Sequence, residues 1–216
     1  EYDGLPAKAG MSRFVWDMHY PDAVPLSDDG AKGKKSTVSQ TAPLAAPGTY
    51  RVELTTGGQN YEESFDIRQD PRSSASQEDL EAQFALMMKI RDKLSETRRA
   101  IERTRAVRQQ VGEWRQKAEI LPNTGLVSET AQKIEDKLAG VEDELIQVKP
   151  ASQQPGNPAS RLNEKLMALP AVVSSTDARP TQGSYDVFSD LSARVDRQLQ
   201  SLREVIDTDL VEFTGL

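Results

Sequence analysis

The spacing of apolar residues along the chain changes once, near residue 72. Before that point, apolar and polar positions alternate in short runs with a period of two, the period of a half-buried strand. The run "SRFVWDM" places Phe14 and Trp16 on one face and Val15 and Asp17 on the other. "TYRVELTT" separates Tyr50, Val52 and Leu54 from Arg51, Glu53 and Thr55, and "NYEESFDIRQ" sets Phe65 and Ile67 on one face. Gly57-Gly58 lies between the last two runs, and adjacent glycines accept the positive φ that a two-residue hairpin turn requires. Pro47-Gly48 sets the turn into the first hairpin strand. These runs predict a small antiparallel sheet with Phe14, Trp16, Tyr50, Leu54, Phe65 and Ile67 on its inner face. Residues 21–47 are rich in Pro, Gly, Ser, Lys and Ala and read as a long exposed loop, with one short edge strand at "STVSQ". Three strands cannot close a sandwich, so the pattern predicts an incomplete one.

After Asp70-Pro71-Arg72 the apolar residues recur every third or fourth place, the period of a helix. Pro71 disfavours helix at Asp70, and Ser76 is well placed as a cap, with Glu78 and Asp79 at the positive end of the helix dipole. Residues 76–121 predict one helix. Its buried stripe is Leu80, Phe84, Met87, Ile90, Leu94, Ile101, Val111, Trp114, Ala118 and Leu121, with Thr97 and Thr104 on the same side. About 45 residues make roughly 68 Å of helix, too long to stand without partners. Pro122 breaks it. A second helix is predicted over 128–149, where Ala131, Ile134, Leu138, Val141, Leu145 and Val148 form a coiled-coil seam. A short third helix over 158–169 takes Asn157 as its cap and Pro158 as its first residue, with Leu162, Leu166 and Leu169 on one side. The last, opened by Ser184, covers 184–213 with Phe188, Leu191, Val195, Leu199, Leu202, Ile206, Leu210 and Phe213 inward. The expected fold class is α+β. A small antiparallel β-sandwich-like domain over 1–72 precedes an elongated antiparallel helical bundle over 76–216, with three long helices and one short one.

Composition agrees with long, solvent-flanked helices: 37% of residues are hydrophobic and 28% charged. The 27 Lys and Arg residues are outnumbered by 34 Asp and Glu residues. The net charge of −7 argues against non-specific nucleic-acid binding. Cysteine is absent, which removes disulfides and thiolate metal sites but does not fix a compartment. No apolar run approaches the roughly 18 residues needed to span a membrane. The chain opens at "EYDGLPAKAG" without an initiator Met and reads as a piece of something longer. Charge also predicts how the first two helices meet. Arg98, Arg99, Arg103, Arg105, Arg108, Arg115 and Lys117 dominate one, while Glu129, Glu135, Asp136, Glu142, Asp143 and Glu144 dominate the other. An antiparallel hairpin about Pro122 lays the basic stretch beside the acidic one.

Three stretches, "AGMSRFVWDMHYPDA", "APGTYRVELTTGGQNYEESFDIRQDPR" and "QFALMMKIRDKLSETRRAIERTRAVRQQV", resemble the C-terminal region of large bacterial proteins with a sortilin-like β-propeller of BNR-type repeats. Such proteins are often labelled glycosyl hydrolases. The stretch from "RLNEKLMALP" to "LREVIDTDL" is similar to the same family's tail, so the resemblance covers nearly the whole chain. Trp16-Asp17 and Pro47-Gly48-Thr49-Tyr50 also resemble the strand and hairpin turn of the Ig-like module in flagellar hook-capping proteins, here separated by a longer loop. The resemblance implies an Ig/FnIII-like domain, an upstream propeller in the same chain, and a secreted, periplasmic or cell-envelope location. It does not imply catalysis by this stretch, since the catalytic groups of propeller hydrolases belong to the propeller.

The sequence offers little chemistry. It has no nucleophile elbow, no phosphate-binding glycine loop and no paired-histidine metal motif. Glu62-Glu63 are adjacent, so on a strand they face opposite ways and cannot work as an acid–base pair. His19 is the only histidine, and the residues favour a loop histidine over a ligand. "DDGAKGKK" favours a solvated loop over a cation site. No catalytic residue, metal site or cofactor is expected. The candidate interaction residues are Trp16 and Tyr20, which could stack on sugar; Arg98, Arg105 and Arg108, which could meet phosphate or anionic lipid but for the acidic helix beside them; and Tyr185, beside Arg179-Pro180-Thr181. Two functions are expected to compete. One is a non-catalytic structural module whose helical arm serves docking or homodimerisation. The other is a carbohydrate-contacting accessory of a secreted glycoside hydrolase.

Overall fold

A computed structural model describes residues 10–27, 41–120, 125–146 and 160–215. The chain is mixed α+β and mostly helical. Two antiparallel strands, β1 (Gly48–Thr56) and β2 (Gln59–Ile67), precede four helices, α1 (Gln77–Ile120), α2 (Gly125–Leu145), α3 (Leu162–Val173) and α4 (Gln182–Glu204). The last continues through a π turn, Val205–Asp209, into a final turn, Leu210–Thr214.

The hairpin follows its glycines. Gly57 and Gly58 adopt φ of 59° and 79°, left-handed values that a side chain would strain and that match the twist of the two strands. The register pairs Tyr50 with Phe65, Val52 with Glu63 and Leu54 with Tyr61. Alternation then puts these six side chains on one face, and Arg51, Glu53, Glu62, Ser64 and Asp66 on the other.

The expected strand at 12–18 is not formed among the described residues, where the first bridge is an isolated one between His19 and Leu44. The chain bends where that strand would end: the Asp17 carboxylate accepts from the His19 N–H at 3.0 Å, and Met18 takes a φ of 62°. The sheet among the described residues therefore has two strands rather than the inner layer of a sandwich.

The expected exposed loop at 21–47 is corrected as well. Its described ends pack inward: Ala23, Leu26, Thr41, Ala42 and Ala45 are buried. A polar stripe on α1 takes the place of a partner strand. Arg91, Ser95, Arg98 and Glu102 recur every three or four residues and so share one side of the helix. They bond the backbone of Pro21, Val24 and Ser27 over distances from 2.8 to 3.4 Å. Ala23 and Leu26 join the same apolar cluster as Leu94, Leu138, Leu166 and Val195. The division at residue 72 separates kinds of secondary structure without separating cores. Asp28-Asp29 and "STVSQ" lie outside the described residues.

Ser76 caps α1 as expected, in a reciprocal box with Asp79: the Asp79 N–H meets the Ser76 hydroxyl at 3.2 Å, and the Asp79 carboxylate accepts from the Ser76 N–H at 3.2 Å. The 44 residues of α1 extend roughly 66 Å. Ile90, Leu94, Thr97, Ile101, Thr104 and Val111 are buried along it, and the two threonine hydroxyls bond back to the carbonyls of Lys93 and Ala100. Leu86, Ala100 and Val107 are buried too, because the middle of α1 is covered on more than one side. Trp114 is a correction. The stripe continues through Val111, Arg115 and Ala118, leaving Trp114 60% exposed with the Lys117 ammonium 5.1 Å from its ring centroid. Spacings of three and four are both helical, and Arg115 takes the inward place because it reaches Glu135 at 3.3 Å.

Ala131, Ile134, Leu138, Val141 and Leu145 form the buried side of α2. Val148, Asn157 and Pro158 lie outside the described residues. The third helix begins later than expected, at Leu162, and runs through Pro170 to Val173. Proline is tolerated there because the last turn is buried against Leu86, Met87 and Ile90. The Ser174 N–H and hydroxyl both bond the Pro170 carbonyl at 2.8 Å. Helix α4 is capped by Thr181, whose hydroxyl accepts from the Ser184 N–H at 3.2 Å, so Ser184 sits inside the first turn.

Gly140 lies on the solvent side of α2, and a Cβ there would meet nothing within 4 Å. Replacing it with Ala restores helix propensity at no packing cost. Gly140→Ala is expected to stabilise the chain by about 0.5–1 kcal/mol in urea unfolding, and a loss of stability would contradict this placement.

Candidate functional site

The most exposed organised surface is the hairpin. On its mostly apolar face Val52 is 51% exposed, Leu54 46%, Tyr61 53% and Phe65 40%. Only its base is covered. Trp16 lies against Tyr50, with centroids 5.8 Å apart, and edge-on to Phe65 at 6.2 Å, while Tyr50 and Phe65 stack at 6.0 Å. The indole N–H donates to the His19 carbonyl at 2.9 Å. The Tyr50 hydroxyl donates to the Ala46 carbonyl at 2.7 Å. Burial, and then the neighbouring Tyr20 phenol, hold the Tyr50 hydroxyl above the usual phenol range. Gln77 at the start of α1 donates to the Pro47 carbonyl at 2.6 Å and ties the foot of the hairpin to the helices. The aromatic run thus fastens the hairpin at one end and leaves the far end in water.

The sequence candidates fall in four places, with Trp16 and Tyr20 both beside Tyr50. Trp16 is engaged as described. Tyr20 packs on Phe84 of α1, with centroids 5.0 Å apart, and its phenol also neighbours Tyr50. Arg98 is buried, 7% exposed. Its guanidinium donates to the Val24 carbonyl at 2.9 Å and lies 3.4 Å from the Asn163 amide oxygen and 3.2 Å from the Met167 sulfur. Arg105 and Arg108 both reach Glu142 on α2, at 2.7 and 2.8 Å, and the Glu142 side chain is only 5% exposed. Sequence reasoning placed Glu142 in the acidic stretch opposite these arginines but did not single it out as buried, 4% exposed. Tyr185 is half-buried beside Leu86 and Phe188, in an open groove of about 480 Å³ between α1 and α4.

A second open cleft, about 340 Å³, lies between α1 and residues 21–24. Asp22, Asp92, Arg91 and Arg99 all line it, so charges of both signs meet there. Among the described residues, no group of three or more His, Cys, Asp or Glu side chains could hold a metal ion. No helix among them is long and apolar enough to cross a membrane.

Arg179 bonds Asp79 at 2.8 Å and ties the connection before α4 to the first turn of α1. This bond, and then those from Ser76, hold the Asp79 carboxyl below the usual carboxylate range. A lowered carboxyl contributes stability that is complete above about pH 4 and lost as pH falls through the folded value. The melting temperature of Asp79→Asn should therefore fall less steeply below about pH 4 than that of the unmodified chain, and parallel curves would refute the link. Glu142→Gln keeps the shape but loses the charge between Arg105 and Arg108. It is expected to cost about 1–3 kcal/mol in urea unfolding with an unchanged slope, whereas a neutral result would show that the two arginines are satisfied elsewhere. Comparison of the chain with protein-family models, with curated proteins and with solved structures returned no match.

Proposed function

We propose that this chain is a non-catalytic interaction module whose hairpin completes a β-sandwich with further strands and whose helices form a rigid bundle that positions it. The observation that carries this reading is the hairpin's apolar face, half in water although its base is locked by Trp16. A two-stranded sheet is marginal alone, and a third strand or a second layer is what such a face ordinarily meets. The resemblance of the sequence supports a larger parent protein, secreted or envelope-associated, with a β-propeller preceding this region. The end of the α1–α2 hairpin, where Trp114, Ile120 and Leu126 are exposed, is where a second copy would pack if the arm also serves dimerisation. The competing accessory reading has Trp16 or Tyr20 stacking on a sugar. The engagement of Trp16 by Tyr50 and Phe65, and of Tyr20 by Phe84, weighs against it.

The test is amide hydrogen exchange over 48–67, measured on this chain and on the longest polypeptide that its reading frame encodes. The expected outcome is fast exchange at the far end of the hairpin in the first and clear protection in the second. Equal exchange in both would overturn the reading, as would glycan binding by the isolated chain that Trp16→Ala abolishes.

A further inference from the structure

We infer that the outer edge of β2 receives an added strand, and that the chemistry of this edge selects an extended segment in which apolar and basic residues alternate. The inference rests on the interaction reading above and names the kind of partner.

The edge follows from the turn. In a two-residue hairpin the pair flanking the turn, here Thr56 and Gln59, exchanges both backbone hydrogen bonds, and bonded and non-bonded pairs then alternate. Asn60, Glu62, Ser64 and Asp66 therefore turn their N–H and C=O groups away from β1. Among the described residues no strand lies along that side, and no backbone bond links residues 59–67 to anything beyond the hairpin. An unpaired row of this kind is a template for another strand.

The side chains decide which strand fits. The outward-facing residues place Glu62 and Asp66 on the polar face, while Tyr61 and Phe65 lie on the apolar face with Glu63 between them. Within 48–67 four carboxylates, Glu53, Glu62, Glu63 and Asp66, stand against one cation, Arg51. A second copy adding through β2 would set these carboxylates against their own kind, which opposes pairing across strands. A segment with Lys or Arg opposite Glu62 and Asp66, and Val, Ile or Tyr beside Tyr61 and Phe65, matches both faces at once. It would also extend the apolar surface that Trp16 begins.

The experiment uses the whole chain and a labelled nine-residue peptide, the length of β2, alternating Val with Lys. Fluorescence anisotropy reads the affinity, and amide exchange reads the edge. Binding that weakens with added salt is expected, with protection gained at Asn60, Glu62, Ser64 and Asp66 and not at the outward amides of β1. Replacing Glu62 by Gln and Asp66 by Asn together should weaken binding roughly three- to tenfold. Ser64→Pro removes one outward N–H from an edge where proline is tolerated, so the helical circular dichroism should persist while peptide affinity falls more than about tenfold. The inference is overturned if the peptide does not bind, if an alternating Val–Glu peptide binds as well, if Ser64→Pro changes nothing, or if the same amides become protected by self-association. Protection of 48–67 in the longer polypeptide without any peptide binding would overturn this inference and leave the interaction reading standing. Peptide binding without that protection would do the reverse.

Discussion

A buried arginine without a carboxylate among its described contacts holds three parts of this molecule together. Arg98 is charged at every accessible pH, and removing it from water is costly unless its N–H groups are met by acceptors. The acceptors come from two places remote in sequence, the Val24 carbonyl in the N-terminal segment and the Asn163 amide in α3. Neither α3 nor residues 21–27 can leave α1 without stranding that charge. The neighbours of Arg98 on the stripe, Arg91, Ser95 and Glu102, extend the same grip along the segment. One side of α1 thus does for an irregular chain what a neighbouring strand does in a sheet, supplying donors and acceptors to its backbone.

The other sides of α1 are ordinary packing. The seam with α2 is apolar, and its flanks are ionic. Glu142 between Arg105 and Arg108, and Glu135 beside Arg115, set the register of the two helices. Gly112 leaves room for this arrangement, since a Cβ there would lie 2.9 Å from the Glu135 carboxylate. The arginine-rich stretch is largely occupied by the helix it pairs with, so it makes a poor claim as a surface for phosphate or lipid. Lys93 with Asp196 ties in α4, and Lys137 with Asp209 ties in the π turn that continues it.

What remains for function is the part that the helices do not absorb. The hairpin is fastened by an aromatic triad and by Gln77, and beyond that foot its apolar side chains have no cover among the described residues. The strand pair has a largely apolar face, interrupted by Glu63, and a polar one, and under the proposed reading it is an unfinished element. Its acidity on the unpaired edge narrows what can finish it.

The local features were legible in the sequence because each depends on neighbours within a few residues. The hairpin follows from Gly57-Gly58 and strict alternation, the start of α1 from the Ser76 cap with Glu78 and Asp79 in the first turn, and the α2 seam from its 3-4 spacing. The meeting of Trp16 with Tyr50 and Phe65 was also readable, since all three are strand-period apolar residues in an aromatic-poor chain. The failures share one cause. The burial of Ala23 and Leu26, the exposure of Trp114 and the inward place of Glu142 and Arg115 are set by contacts tens of residues away. No period in the sequence separates a polar stripe that binds backbone, such as Arg91, Ser95, Arg98 and Glu102, from one that merely faces water. Only the tertiary structure decides between them, because the difference lies in whether a backbone with unmet hydrogen bonds is laid against that side of the helix.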